Sequence, residues 1–541
     1  MKAASKYLLL ILLCGVAFLR PVAQCPGRPE PGSIVQDPLN LSSQNGVLDV
    51  ALLMQHSVDE QGYTHYCYNY KTSTGYVESP TLRVDPGDTM ILDVRNNIQN
   101  DNSAGMEMPA SPGFTCGDGG AMTISSTNVH FHGMNIPPKC HGDDVLNTLI
   151  QPGTPGFEYN FQIPTTERPG LYWYHPHVHG FTEFQVNGGA AGALIVNGMD
   201  KVRPEVKGLA ERVFVIRQQY LVPWVPGPYQ ITLNYQVAQF GFPLPIIKMK
   251  PGEKQFWRIA NATIQDFLPL QVLFNLKPQQ LELIALDGYP LAQTRMVNQV
   301  LIPPAGRAEF IVTAPPTGVS AEFVTNNYST GPTGNPDLAQ TLANVELSTN
   351  GDEANSTQPA MVMPMAEEKE STQLTEPASV ALNGNAKSSD AGDPTVTANR
   401  KLYFSEEFGG TNGPIQFYVT VQGQPEKVFE PNEKPVITTN VGAVEDWIVE
   451  NRALETHAFH IHQIHFRVLE IDGQPVTNQD LRDTIEIPFW EGPGNPYHSV
   501  KLRMDFRDPT TAGTFVFHCH ILLHEDLGMM HKIEVKPAGA N

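Results

Sequence analysis

A short pattern of strand, turn and strand recurs three times along this chain of 541 residues. The first copy begins at residue 82 with Leu-Arg-Val-Asp-Pro-Gly-Asp-Thr-Met, and the second begins at residue 247 with Ile-Lys-Met-Lys-Pro-Gly-Glu. The third begins at residue 436 with Val-Ile-Thr-Thr-Asn-Val-Gly-Ala-Val-Glu-Asp-Trp. Internal repetition of this kind predicts several copies of one structural unit. We therefore expect three copies of one domain.

The composition is typical of an all-β protein with many turns. Glycine and proline number 45 and 46, charged residues make up only 17%, and Pro, Gly, Asn and Asp separate short apolar runs. Short strands separated in this way favour Greek-key β-sandwiches. The predicted fold class is therefore all-β, with three such sandwiches.

The first 24 residues have the features of a secretory signal peptide. Two lysines precede an apolar run over residues 7–19, which is too short to cross a bilayer. Lipoprotein processing at Cys14 or Cys25 is the alternative, but the leucine or glutamine before each cysteine fits poorly with the small residue preferred there. We predict a signal peptide over residues 1–24 and a secreted or periplasmic protein.

Composition divides the rest of the chain. Residues 349–399 are rich in Ser, Thr, Asn, Ala, Asp and Glu, and such a segment is predicted to be a disordered linker because it cannot bury enough apolar surface. We expect domains at residues 25–200, 201–348 and 400–541. Within the linker, the methionines of Met361-Val-Met-Pro-Met365 could bind Cu(I) weakly, although a plain linker is the favoured interpretation.

The formal net charge of −21 argues against two classes of partner. Nucleic acids and anionic membrane surfaces both attract a basic face. After the signal segment, no run reaches the roughly 18 apolar residues of a membrane span. We expect no nucleic-acid partner and no membrane anchor in the mature chain, which we take to be a monomer.

Four of the six cysteines are candidates for disulfides in an oxidising compartment. Cys14 is lost with the signal segment, and Cys519 lies among histidines in a metal-binding pattern. The remaining four are Cys25, Cys67, Cys116 and Cys140. They allow three connectivities, and we expect Cys116 to pair with Cys140.

The histidines are spaced in a way that chance does not explain. Five His-x-His pairs occur, whereas random placement predicts about half a pair. They are His130/His132, His175/His177, His177/His179, His460/His462 and His518/His520. Residues i and i+2 of a strand share a face, so each pair presents two imidazoles on one side. One pair from each of the four segments would together hold three metal ions.

Segment 518–529 adds a second kind of site. Cys519 lies between two histidines of a predicted strand, so it must face the opposite side from them. With His524 and Met529 it supplies the thiolate, imidazole and thioether ligands of an electron-transfer copper. Structural zinc, the main competitor, has no use for a methionine. His457 is the histidine left over to complete this site.

Four segments together resemble those of the multicopper oxidases. They are His130-Phe-His-Gly, Trp173-Tyr-His-Pro-His, His457-Ala-Phe-His-Ile-His and His518-Cys-His-x3-His-x4-Met. With the threefold repeat, they match the family over essentially the whole mature chain. The ending His524-Glu-Asp-Leu-Gly-Met-Met is most similar to the bacterial laccase, cuprous oxidase and bilirubin oxidase branch. The resemblance implies three cupredoxin-like domains, with copper ligands in the first and last.

By position in these motifs, the resemblance implies four copper ions, one of type 1, one of type 2 and two of type 3. Type 1 copper falls to His457, Cys519, His524 and Met529. Type 2 copper falls to His130 and His460. The type 3 pair takes His132, His175, His177, His462, His518 and His520. His179 has no place in this assignment, and we expect it either to support a ligand or to be structural.

The chain departs from the family's pattern in two places. In the third motif, Ala458 stands where proline is usual, and Gln463-Ile464-His465 stands where Gly-His is usual. After the first motif, His141-Gly142 stands where the family often has Asp-Gly, and Asp143 or Asp144 is expected to supply that acid. The ligands of the third motif all survive, so we expect activity to survive too.

The resemblance implies a laccase-like enzyme that oxidises phenols or aromatic amines in four one-electron steps and reduces dioxygen to two waters. Oxygen reduction consumes four protons, so an acid near the copper cluster is the expected relay. Glu525, next to His524, is the first candidate and Asp143 is the second. Glu455, two residues before His457, is a candidate for orienting a phenol.

Other functions remain open. A cuprous oxidase serving copper tolerance would prefer Cu(I) to phenols, and the chain has no dense Met-rich helix pattern in favour of it. Bilirubin oxidase-like activity is a second possibility. A copper-free cupredoxin scaffold would have lost ligands, and no ligand of the four motifs is missing.

Overall fold

The computed structural model describes residues 24–58, 64–99, 116–220, 229–239, 241–348, 394–408 and 415–539. The predicted signal peptide, apart from its last residue, lies outside these ranges, and so does most of the predicted linker with its three methionines. Within the described residues the regular structure is nearly all β-strand. The predicted all-β class is confirmed.

The first part of the chain forms two five-stranded sheets that share one apolar core. Its elements are β1 (Asn40–Ser42), β2 (Val47–Val58), β3 (Thr64–Lys71), β4 (Tyr76–Glu78), β5 (Thr81–Val84), β6 (Thr89–Asn96), β7 (Cys116–Gly117), β8 (His130–His132), β9 (Thr148–Leu149), β10 (Phe157–Gln162), β11 (Gly170–His175), α1 (Thr182–Asn187) and β12 (Gly192–Val196). The sheet orders are β1-β5-β12-β11-β8 and β10-β6-β2-β3-β4. In β2, Leu48, Val50 and Leu52 alternate with exposed residues and enter this core, as a strand with one buried face requires.

The middle part repeats this arrangement. Its elements are α2 (Met199–Val202), a 3-10 turn (Pro204–Val206), β13 (Ala210–Tyr220), β14 (Tyr229–Leu233), β15 (Gln236–Val237), β16 (Ile246–Met249), β17 (Lys254–Ala262), β18 (Leu268–Phe274), β19 (Lys277–Pro278), β20 (Leu281–Leu286), β21 (Tyr289–Val297), β22 (Val300–Ile302), β23 (Arg307–Thr313), β24 (Ala321–Thr325) and β25 (Gln340–Leu347). One sheet has the order β15-β14-β13-β17-β23-β20-β21, and the other has the order β16-β25-β24-β18-β19 with β22 beside β18.

The last part forms the third sandwich. Its elements are β26 (Ala398–Phe408), β27 (Ile415–Val421), β28 (Ile437–Asn440), β29 (Val444–Asn451), β30 (His457–Ile461), β31 (Phe466–Ile471), β32 (Gln474–Pro475), β33 (Leu481–Arg482), β34 (Thr484–Ile487), β35 (His498–Asp505), a 3-10 turn (Pro509–Thr511), β36 (Gly513–Cys519), α3 (Leu522–Asp526) and β37 (Met530–Lys536). The sheet orders are β27-β26-β29-β35-β31-β32 and β28-β37-β36-β30-β34.

The repeated sequence pattern has the same position in each sandwich. Its two strands, β5 and β6, β16 and β17, or β28 and β29, lie in opposite sheets. The second strand of each copy pairs in parallel with an earlier strand, in the pairs β2·β6, β13·β17 and β26·β29. The three copies are therefore topologically equivalent. The boundaries at residues 200, 348 and 400 stay a prediction, although β26 begins two residues inside the predicted linker.

Two disulfides stabilise the first sandwich. Cys116 pairs with Cys140, as predicted, and Cys25 pairs with Cys67. Among the described residues, Cys519 is the cysteine left free, and it is buried. No helix of the described residues is long and apolar enough to cross a membrane.

Candidate metal centres

Sheet register brings the histidine pairs of each sandwich side by side. In the first sandwich β8 runs antiparallel to β11, with His130 opposite His175. In the last sandwich β30 runs antiparallel to β36, with His460 opposite His518. The histidines of the two sandwiches face each other, and Nε2 of His177 lies 3.4 Å from Nε2 of His518. Histidines from the two ends of the chain therefore meet at one interface.

Eight imidazoles at this interface form overlapping clusters whose possible ligand atoms lie within 4.8 Å of one another. The clusters are His132/His175/His520, His177/His462/His518 and His130/His132/His460. The members of the pair 175/177, and likewise of the pair 518/520, enter different clusters. Side chains two residues apart on a strand are separated by about 7 Å, so each pair can reach two neighbouring positions.

The ring nitrogens that face away from the centre are held by hydrogen bonds. The Nδ1 atoms of His175, His460 and His518 donate to the backbone oxygens of Pro176, Asp483 and Cys519 at 2.8, 2.8 and 2.9 Å. Among the described residues, Nε2 of His130, His175 and His460 has no protein partner. His132 is the reverse case, because its Nε2 lies 3.3 Å from Asp483 Oδ1 and its Nδ1 has no partner.

The eight imidazoles are neutral at physiological pH. Burial is the main cause that lowers the pKa of each one, to about 3 for His175 and to about 4 for His518. The remaining six are His130, His132, His177, His460, His462 and His520, and the pKa of each lies well below its usual value. Neutral imidazole is the form that binds metal ions. Buried neutral rings with unpartnered nitrogens fit a cluster of copper ions.

A second centre lies on the other side of β36. The Sγ atom of Cys519 is 3.5 Å from His457 Nδ1 and 3.9 Å from His524 Nδ1, and the two Nδ1 atoms are 3.3 Å apart. Met529 is fully buried in the same apolar core as Cys519. Its N–H donates to the backbone oxygen of His524 at 2.8 Å, and its own oxygen accepts from the N–H of Cys519. This donor set fits a blue copper ion.

The thiol of Cys519 is buried and accepts backbone hydrogen bonds. Burial raises its pKa well above the usual value, while the N–H groups of Ile521 and Ala458 lower it. Copper binding would deprotonate the thiol. Proline, usual at position 458, has no N–H to donate, so the substitution noted in the sequence adds a hydrogen bond to the sulfur.

Three family models described as multicopper oxidase match residues 121–201, 173–346 and 409–539. Their matches contain all four histidine segments and lie in all three sandwiches. The chain belongs to the multicopper oxidase family. Members are copper-dependent oxidoreductases that act on small-molecule substrates with dioxygen, and this chain is a laccase-like member.

Known multicopper oxidases resemble this one along most of their length. One from Staphylococcus aureus is 23% identical over 524 residues, which cover 92% of this chain and 94% of that protein. A laccase from Bacillus subtilis is 22% identical over 457 residues, covering 76% and 79%. A solved multicopper oxidase from Campylobacter jejuni, a metallo-oxidase, superposes with a TM-score of 0.65 at 23% identity, covering 96% and 98%.

Glu525 of this multicopper oxidase lies behind the histidine cluster. It is fully buried, with Oε2 3.3 Å from Nδ1 of His518 and Oε1 3.5 Å from Nε2 of His177. Burial raises its pKa well above the usual value, and the charge of Asp526 raises it further. The raised pKa favours the protonated form of this carboxyl group, which lies next to two candidate ligands.

Asp143 is the second acid at the cluster. Its carboxylate lies 2.9 Å from Nδ1 of His130 and accepts the side-chain amide of Gln463 at 2.6 Å. Burial raises its pKa to about 8, against the lowering effect of hydrogen bonds from Phe131 N–H and Gln463. Asp144 accepts from Asn147 instead. Of the two acids named from the sequence, Asp143 is the one at the cluster.

Gln463 explains one departure from the family's motif. Its backbone has a φ of 59°, the left-handed region where glycine is favoured. The multicopper oxidase nevertheless has a side chain here, and that side chain donates to Asp143. The hydrogen bond to the acid offsets the conformational cost of a non-glycine residue.

Asp483 and Arg307 also adjoin the cluster, and they were not predicted from the sequence. The Nη1 and Nη2 atoms of Arg307 donate to the two carboxylate oxygens of Asp483 at 2.8 and 2.5 Å, and both residues are fully buried. Burial raises the pKa of Asp483, but the charge and hydrogen bonds of Arg307 outweigh it and hold the pKa at about 2. Neither residue belongs to a His or Cys motif, so the spacing of residues in those motifs could not identify them.

Two further acids lie at the cysteine centre. Glu406 Oε1 is 3.3 Å from Nε2 of His457, and Glu455 Oε2 is 3.5 Å from Nε2 of His524. The ring of Phe417 stacks on His524 at 3.9 Å. Glu455 was singled out from the sequence, whereas Glu406, on β26, was missed because it is far from any motif.

His179 lies in none of the ligand clusters found among the described residues. It is buried against the ring of Phe429 at 4.8 Å, and burial lowers its pKa to about 4. These contacts favour a structural role over support of a ligand.

Proposed function

We propose that this multicopper oxidase is a secreted enzyme that oxidises phenols or aromatic amines and reduces dioxygen to water with four copper ions. The observation that carries the proposal is the segment 518–520, in which Cys519 belongs to one metal centre and its two neighbours belong to the other. When bound, copper would supply one-electron redox chemistry at the cysteine centre and four-electron chemistry toward dioxygen at the histidine cluster.

The overlapping clusters support a division of the ligands among four positions. We propose type 1 copper at His457, Cys519, His524 and Met529; the type 3 pair at His132/His175/His520 and His177/His462/His518; and type 2 copper at His130 and His460. The two centres are joined covalently through the Cys519 backbone. No diffusible electron carrier is needed between them.

The protein's own groups would orient the ligands and move protons. Backbone oxygens hold the Nδ1–H groups of three ligand imidazoles, which aims their Nε2 atoms at the cluster. We propose Glu525 as the first proton donor and Asp143 as the second. Their complete burial excludes bulk water from both carboxyl groups.

An apolar surface at the cysteine centre supports an aromatic donor. His524 lies on α3 between Leu523 and Leu527, whose side chains are 43% and 46% exposed. We propose that phenols and aromatic amines dock on these leucines and give electrons through His524. Small-molecule sites are lined mainly by apolar side chains with a few polar groups.

A metal-ion donor is the second candidate, and Glu406 and Glu455 favour it. These carboxylates adjoin the two imidazoles of the cysteine centre, and oxygen ligands attract Fe(II), while Cu(I) prefers softer ones. Glu455→Gln is expected to raise the KM for Fe(II) roughly tenfold, the equivalent of about 1.4 kcal/mol, and to raise the KM for a phenol less, since Glu455 is also the candidate for orienting a phenol. Steady-state oxygen uptake checks this. Glu407→Gln, one residue from Glu406, is the control; an equal change for both donors would rule out a metal-ion site here.

Ala458→Pro is expected to lower the reduction potential of the cysteine centre. The substitution removes an N–H donor to the Cys519 sulfur, and hydrogen bonds to this sulfur tune the potential of blue copper. A redox titration of the blue absorption measures the change. Ala458→Gly, which keeps the N–H, is the control; a proline variant with the potential of the glycine variant would contradict this role.

Oxygen uptake by the copper-loaded protein tests the proposed function. A phenol, Cu(I), Fe(II) and bilirubin are supplied in parallel, and the phenol is expected to give the highest kcat/KM. If no donor supports oxygen uptake by protein that holds four copper ions, the proposal fails. A clear preference for Cu(I) would favour the cuprous oxidase alternative instead.

We also propose that the mature enzyme is an extracytoplasmic monomer. The signal-like residues 1–24 and the two disulfides support the location, since disulfides persist in oxidising compartments. Fractionation and light scattering test location and mass. A cytoplasmic product that keeps its N-terminal segment, or a dimer, would contradict this.

A further inference from the structure

On the basis of the proposed function, we propose that Arg307, from the middle sandwich, is a positioning residue for the histidine cluster and acts through Asp483. The middle part of the chain, residues 201–348, contains no histidine. Arg307 nevertheless reaches the interface of the other two sandwiches, because it is the first residue of β23 and its guanidinium ends at Asp483.

The guanidinium of Arg307 is fixed in one orientation. Its Nε donates to the backbone oxygen of Leu171 at 3.3 Å, and its Nη1 donates to that of Ala305 at 3.0 Å. Both Nη atoms also donate to Asp483, one to each carboxylate oxygen. Arginine suits this position because its planar guanidinium can donate two parallel hydrogen bonds to one carboxylate. A lysine ammonium group cannot do so.

Asp483 in turn contacts two candidate ligands. Its Oδ1 lies 3.3 Å from Nε2 of His132, and its backbone oxygen accepts from Nδ1 of His460 at 2.8 Å. The hydroxyl of Thr484 also donates to Oδ1, at 2.9 Å. One residue therefore orients two imidazoles, and both belong to the cluster His130/His132/His460.

The consequence is clearest for His132. Its Nε2 is engaged by Asp483, so the nitrogen left for a metal ion is Nδ1, which has no partner among the described residues. A buried carboxylate without a counter-ion would be strongly destabilised. Without Arg307, the Asp483 carboxylate would lose the two hydrogen bonds that fix its orientation, and it would no longer be held against His132.

The glycine that follows His132 gives independent support. Gly133 has a φ of +84°, and a Cβ atom there would collide with Arg307 Nη2 and lie 2.5 Å from Asp483 Oδ2. The backbone after the first histidine pair thus packs directly against the ion pair. Alanine at this position would push the pair away and would also strain the backbone next to His132.

Arg307→Met tests the proposal, with Arg258→Met as the matched control. Arg258 is also a buried arginine of the middle sandwich, and its Nε donates to Glu309 at 2.6 Å, but Glu309 contacts Leu171 rather than a histidine.

Copper-loaded wild type and variants are titrated with a chelator, and copper per chain is measured. Arg307→Met is expected to weaken copper retention by the histidine cluster about 10- to 100-fold, while the blue absorption of the cysteine centre persists. In the electron paramagnetic resonance spectrum of Arg307→Met, we also expect a change in the signal of the copper held by His130 and His460.

The control decides between positioning and simple stability. Arg258→Met is expected to lower the melting temperature to a similar extent and to leave copper retention and the resonance spectrum unchanged. If Arg307→Met does not fold, Arg307→Lys takes its place: this variant keeps the positive charge but lacks the planar fork, and it is expected to fold and to change the spectrum in the same way. Wild-type copper retention and a wild-type spectrum in Arg307→Lys would overturn the proposal, and so would equal effects of the two methionine variants. A wild-type protein without oxygen uptake would instead overturn the proposed function.

Discussion

Cys519→Ser is expected to abolish oxidase turnover while leaving three of four copper ions bound. The thiolate is the ligand that makes a copper ion blue and electron-accepting at this centre, and a serine hydroxyl is a poor substitute for it. His518 and His520 keep their places because they belong to the other centre. Copper analysis, the blue absorption and oxygen uptake with a phenol measure the three effects.

Met529→Leu is the control for this variant. Leucine keeps the volume of the buried methionine, and Cys519, His457 and His524 remain as strong ligands. This variant is expected to stay blue and active with a changed potential, because the axial ligand tunes that potential. A Cys519→Ser protein that kept its turnover, or that lost all four copper ions, would contradict the separation of the two centres.

Glu525→Gln is expected to reduce turnover about 100-fold or more, the usual size of a general-acid contribution. Glutamine has the shape of glutamic acid but no proton to give, and the carboxyl group lies within 3.5 Å of both His177 and His518. Reduction of the blue centre by a phenol without oxygen should keep its rate. Stopped-flow reduction and oxygen uptake separate these two steps.

Asp526→Asn is the matched control for Glu525→Gln. The neighbouring carboxylate of Asp526 accepts the N–H groups of Thr182 and Glu183 at 3.1 and 2.8 Å, so it joins α3 to α1. Its loss should lower stability more than turnover. If Glu525→Gln kept wild-type turnover, the protons would have to come from another group, of which Asp143 is the first to replace.

The sequence was sufficient to predict the fold class and the candidate ligands because both depend on local patterns. Strand periodicity sets which way Cys519 and its neighbours face, and the register of β30 with β36 then places His460 beside His518. The pairing of Cys116 with Cys140 was predicted as well. The fold class and the facing of Cys519 follow from a few consecutive residues or from a repeated motif, whereas the disulfide was chosen among three open connectivities.

The groups that hold the candidate ligands could not be predicted in the same way. Arg307 and Asp483 are 176 residues apart, and they meet only because the middle sandwich packs against the other two. Glu406 reaches His457 from another strand of the last sandwich, and Gln463 reaches Asp143 from another sandwich. Such contacts depend on how the sandwiches pack against one another. No periodic pattern in a single sequence predicts that packing.

A crystal structure of the copper-loaded protein, with anomalous scattering recorded at the copper absorption edge, tests the central claim most directly. We expect four copper peaks in each chain: one among His457, Cys519 and His524, and three among the eight histidines between the first and last sandwich. Fewer than three peaks in the histidine cluster, or none beside Cys519, would contradict it.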